Sequence, residues 1–182
     1  MKQWHKERRE KLNLQGKLTF ERIRTRADWP KLKAKAACTR HLISYARHLC
    51  ELHNDGSTHD RRRLACVKFV ERFYEVCAME ERWIPTDVQD ELKEGVRGFM
   101  ACYNALSQEA LNADKRNWKM TPKFHLFVHL IEVQLPSWGN PRYFWTYGDE
   151  DLQRIMKSVA LSCHPLNLEP VVLFKWLCIK FD

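Results

Sequence analysis

His125 and His129 stand four residues apart in a run whose spacing predicts a helix, so both imidazoles face one way and could share a ligand. Leu126 occupies the place where a zinc protease would carry Glu, which disfavours that enzyme class. Further downstream Asp149, Glu150 and Asp151 open another helix next to an aromatic loop. Successive helical residues diverge by about 100°, so at most one or two of these carboxylates converge on the histidines. With His125, His129 and Glu150 as ligands, and Asp149 or His164 as further donors, a divalent metal could activate water or a phosphoryl oxygen. The plainer alternative, which the residues by themselves favour, is that the histidines bond to loop backbone or nearby carboxylates and the acidic residues serve the helix dipole. No other cofactor is implied.

A zinc finger built from Cys38-x-x-His41 and Cys50-x-x-His53 fails on geometry. On one helix the two pairs lie about 18 Å apart, while Zn bonds are about 2.0–2.3 Å long. Neither a Gly-x-Ser-x-Gly elbow nor a Gly-rich phosphate loop occurs, and Cys163 beside His164 is weak evidence for a thiolate site.

Binding is the second chemistry on offer. Residues 1–40 hold 13 basic residues against four acidic ones, a surplus of nine in a chain whose net charge is +8. Arg8, Arg9, Arg22, Arg24, Arg26, Lys31, Lys33 and Lys35 are the candidates to neutralise phosphates, with DNA favoured over RNA. The competing account is a solvated arm that only confers solubility. Basic runs also serve as nuclear localisation patches, though acidic residues interrupt this one.

The elements that must position these groups are helical. Apolar residues spaced at three and four predict a helix over 31–53, a capped turn at 54–58, a helix from there to about Trp83, and a third from Pro85 to Leu111 that dissolves over 112–117. The first two should pair antiparallel. Gly95 and Gly98 weaken the third helix or let a neighbour approach closely. A fourth helix, capped by Thr121 with Pro122 in its first turn, is apolar nearly all round and therefore expected to be central. An aromatic loop over 136–147 follows, as a potential protein-partner surface, then a helix over 149–162. The stretch 169–181 reads as helix more than strand.

The expected fold is thus all-α, a bundle of five or six helices, with residues 1–30 as a basic arm and 31–182 as a single helical domain. Six Gly and seven Pro are too few for a many-stranded barrel or sandwich, and 45% hydrophobic content argues against global disorder. Seven cysteines with no hydrophobic signal segment predict reduced thiols inside a cell, with Cys66, Cys77, Cys102 and Cys178 as core filler. No stretch is apolar enough to suggest a membrane partner.

Pro122-Lys123-Phe124-His125, His129-Leu130 with Glu132, then Gly139, Pro141, Trp145-x-Tyr147-x-x-Glu150 and Lys157 form a longer pattern. It resembles the C-terminal portion of CACTA-type DNA transposase proteins over about residues 119–165. Asp151 stands where the family has Arg after the glutamate, and the spacing from Pro141 to Trp145 differs by one residue. The resemblance implies that Glu150 corresponds to the last acidic catalytic residue of a ribonuclease-H-like core, preceded by its all-α insertion. The strand-borne aspartates that such a site needs do not appear in residues 1–118, so the resemblance implies a nucleic-acid-binding fragment that is catalytically incomplete.

Overall fold

A computed structural model describes residues 19, 23, 29–30, 32, 39–79, 81–145, 147–164 and 168–181, and from Ile43 onward these described residues form six helical rods. The fold is all-α, with no strand among the described residues. By packing, the chain divides into two compact units, residues 1–143 and 144–182; the boundary expected at residue 30 falls where few residues are described.

In the first unit, helix α1 (Ile43–Leu52) leads into a turn written entirely in side chains. The Asn54 and Asp55 carboxamide and carboxylate oxygens accept from the N–H groups of Gly56 and Ser57, at 2.9 and 2.8 Å. The Ser57 hydroxyl then accepts from Asp60 N at 3.1 Å and caps helix α2 (Thr58–Cys77), satisfying one of the N–H groups that every helix start leaves open. Helices α1 and α2 are antiparallel as expected: Arg47 bonds Glu71 at 2.7 Å, and Arg63 reaches the His53 carbonyl at 3.2 Å.

Helix α2 stops at Cys77, six residues short of the end expected at Trp83. The chain that follows is captured by a distant residue. Asn140, fully buried, donates from its carboxamide to the carbonyls of Met79 and Glu81, while its backbone N–H donates to Arg82 O at 2.7 Å. Carbonyls beyond a helix end lack ladder partners, and Asn140 satisfies three of them, which fixes the non-helical course of the chain there.

Helix α3 (Thr86–Asn112) runs antiparallel to α2. Arg72 forms two bonds to Glu91 at 2.8 and 3.0 Å at one end, Cys66 packs beside Phe99 in the middle, and Arg62 and His59 both hold Glu109 at the other end. The close approach anticipated at the glycines occurs at Gly95, against Phe69, while Gly98 faces open space. Helix α3 ends in a Schellman motif: Lys115 N bonds Ala110 O, Asp114 N bonds Leu111 O, and Asp114 takes the left-handed conformation at φ 48°.

Helix α4 (Pro122–His129) continues through a π-helical turn (Leu130–Gln134) into helix α5 (Leu135–Trp138) as one rod. Thr121 precedes it but its side chain makes no capping bond. The rod is not the all-round buried element that its apolar sequence suggested. Phe124, Phe127, Ile131 and Leu135, spaced at three and four, press inward, whereas Leu126 is 65% exposed and Val133 faces outward with it. The α2 and α3 helices already fill the middle with Cys66, Phe99 and Leu106, leaving α4 to cover one side with its phenylalanines.

The second unit holds helix α6 (Tyr147–Leu161) and helix α7 (Leu168–Phe181), joined by a hydrogen bond from Lys175 to the Ser162 hydroxyl at 3.1 Å. The ambiguous C-terminal stretch is therefore helix. Among the described residues, no helix is long and apolar enough to cross a membrane.

Candidate nucleic-acid interface

The two histidines do share a face of α4. Both are exposed, with ring centroids 6.4 Å apart and planes tilted by 48°. Glu150 lies in the first turn of α6, in the second unit, and its side chain is outside the described residues, as are those of Asp149 and Asp151. His164 is exposed just beyond α6. No group of three His, Cys, Asp or Glu side chains is placed to hold a metal ion among the described residues. The arm residues Arg8, Arg9, Arg22, Arg24, Arg26, Lys31, Lys33 and Lys35 all lie outside the described part of the structure, together with Cys38 and the Cys178 side chain. Of the cysteines read as core, Cys66 and Cys77 are buried, Cys102 is half-buried, and all three are free thiols.

What the first unit does assemble is an open cavity of about 780 Å³ at the junction of α2, α3 and the start of α4. Helix α2 contributes His59 and Arg63, α3 contributes Tyr103, and the connection between α3 and α4 contributes Trp118 and Lys119. Lys123 comes from the first turn of α4, and Trp29 lines the cavity from upstream.

Local folding explains how that connection presents its indole. After the Schellman turn, Asn117 N bonds back to Lys115 O at 2.9 Å, and Trp118 follows at φ 57°. A left-handed backbone is unfavourable for a bulky residue and persists only where its surroundings hold it. Here Tyr103 provides that hold. Its hydroxyl donates to the Lys119 carbonyl at 3.2 Å, and its ring meets the Trp118 ring edge-on at 5.4 Å. Burial raises the Tyr103 pKa above the ordinary phenol value, so the hydroxyl stays protonated and remains a donor. His59 also meets the indole edge-on, at 6.3 Å between ring centroids.

The electrostatics of the cavity favour an anion. No Asp or Glu is among its described lining residues. Glu109 lies behind His59, its carboxyl held below the usual carboxylate range first by the His59 hydrogen bond and then by Arg62, and Asp60 engages Arg63 at 3.1 Å. Lys119 and Lys123 are exposed and make no ion pair with any described residue. Among the described residues, they carry the charge at the rim that no carboxylate offsets.

None of these residues was singled out from the sequence as a binding group, although Thr121 was read as a helix cap and Lys123 falls in the Pro122-Lys123-Phe124-His125 pattern. A usable signal was there: Lys115-Arg116-Asn117-Trp118-Lys119 interleaves cations with an indole, a composition suited to nucleic acid, but it reads equally well as the unravelling end of a helix. Compared with family models, with curated proteins and with solved structures, the chain matches none.

Proposed function

We propose that this chain is a nucleic-acid-binding helical fragment of transposase origin, with DNA as the favoured partner and without a complete catalytic set of its own. The observation that carries the reading is the cavity where Lys119 and Lys123 flank Trp118 with no carboxylate among the described lining residues. The basic surplus of residues 1–40 supports it, because phosphate neutralisation releases condensed counterions and favours association. The likeness of residues 119–165 to the C-terminal portion of CACTA-type transposases supports the evolutionary half of the proposal, and work inside the cell, in the nucleus, belongs to the same proposal. The test is affinity for a DNA oligonucleotide as a function of salt. Phosphate binding predicts a steep loss between roughly 50 and 200 mM salt. Absent or salt-independent binding overturns the proposal.

A second reading, a helical protein-interaction module, draws on one specific observation. Trp138 is 55% exposed, Tyr143 is 52% exposed, and Trp83, whose neighbour Arg82 is bonded to Asn140, is 60% exposed. Aromatic side chains of this kind are enriched where proteins meet. Loss of a co-purifying protein partner on Trp138→Ala, with DNA affinity intact, would favour this reading over the first.

A further inference from the structure

We infer that the cavity beside Trp118 receives an unpaired nucleobase, so that the protein prefers single-stranded nucleic acid to duplex. The inference deepens the nucleic-acid reading above and rests on it.

Three features of the cavity lead there. Its wall combines the rings of Trp29, Tyr103 and Trp118, and its rim carries Lys119 and Lys123. Proteins that bind single strands use the same two ingredients, an aromatic face for the base and cations that follow the backbone. Tyr103 and Trp118 also pack against the core cluster of Cys66, Phe99 and Leu106, and both contribute to the lining of the cavity. Secondly, the volume of about 780 Å³ falls in the range of about 300–1,000 Å³ typical of sites that engulf a small ligand. A concavity of this kind admits a base splayed out of a strand, whereas a base stacked inside a duplex cannot enter it. Thirdly, Trp118 holds an unfavourable left-handed backbone, at φ 57°, and remains half-exposed at the cavity. Residues kept in such conformations cluster where a ligand is clamped. Asn117 and Thr121, also in the lining, supply hydrogen-bonding groups for a base edge.

The experiment uses the full chain and three fluorescein-labelled probes at roughly 50 mM salt: a short oligothymidylate, the same strand with abasic sites through its length, and a duplex of equal length. The intact single strand is expected to bind about tenfold more tightly than the abasic strand, which has the same phosphates and no bases to stack. It should also outcompete the duplex. Trp118→Ala should erase the difference between intact and abasic strands, and Trp118→Phe should restore most of it. Because the decisive comparison uses unaltered protein, misfolding of a variant does not affect it. Equal, salt-sensitive binding of all three probes overturns the base cavity and leaves the nucleic-acid reading standing. Failure to bind any of them overturns both, and equal binding of a polyglutamate peptide of matched charge shows a generic anion surface and also overturns the inference.

Discussion

The ring of Phe69 on α2 lies so close to Gly95 on α3 that a β-carbon there would stand 2.7 Å from both Cδ2 and Cε2. That single missing methyl group sets how near the two longest helices come, and the cavity downstream depends on their alignment. The ring is fixed in turn by Phe99 and Phe127, with centroids at 5.5 and 6.0 Å. It has little room to yield.

Gly95→Ala is therefore expected to destabilise the protein by about 1–3 kcal/mol, the usual cost of forcing an extra carbon into a packed core, in spite of better helix propensity. Gly98→Ala is the control. Nothing lies within 4 Å of its added carbon, so it should stabilise by about 0.5–1 kcal/mol. Urea unfolding of both variants checks the pair, and shifts of the same sign would show that the α2–α3 contact is misread.

Asn140 is expected to be the most sensitive polar residue in the first unit. Its carboxamide donates to Met79 O and Glu81 O at 3.1 and 3.3 Å, its Oδ1 accepts from Arg142 N at 3.0 Å, and it is fully buried. Asn140→Ala leaves these part-buried backbone groups without their partner and should cost about 1–3 kcal/mol. Asn140→Asp should be no milder, since a carboxylate cannot donate to carbonyls. Thermal unfolding is the measurement; a variant as stable as the parent would remove Asn140 from this role.

Stability should fall on acidification. Glu51, Glu91 and Glu109 have carboxyls held below their ordinary range, chiefly by hydrogen bonds from Arg47, Arg72 and His59 respectively. A carboxyl with a depressed folded pKa contributes stability above its unfolded value, about 4.3, and loses it as pH falls through the folded value. The melting temperature should therefore drop between neutral pH and pH 3. Glu91→Gln should lower it at neutral pH and converge on the parent in acid. A constant gap across that range would mean that the Arg72–Glu91 pair does not contribute through charge.

Burial pushes the Cys66 and Cys77 thiols up to about 12. The thiolate is the reactive form, so in folded protein at pH 8 both should resist iodoacetamide and become labelled only on unfolding. The same shift means that their neutral form stabilises the fold below the ordinary thiol pKa, with that contribution lost as pH climbs toward 12. Peptide mapping by mass spectrometry checks the labelling; modification of either residue in folded protein would contradict its burial.

The sequence by itself determined the helices and many of their ends, because those signals are local. Ser57 caps α2 through an N–H three residues away, Pro85 and Pro122 stand at helix starts where a missing N–H costs nothing, and Asp114 turns the chain at the end of α3. Local pattern failed where partners are remote. Helix α2 ends early, and the chain beyond it is held by Asn140, some sixty residues on, through the Met79, Glu81 and Arg82 carbonyls. Helix α4 reads as central from its composition, yet only packing against α2 and α3 decided which of its apolar residues went inside. The cavity is of the same kind. His59 and Arg63 meet Trp118, Lys119 and Lys123 only because α2 and α3 run antiparallel at close range, and periodicity along one helix carries no record of which distant side chains that approach brings together.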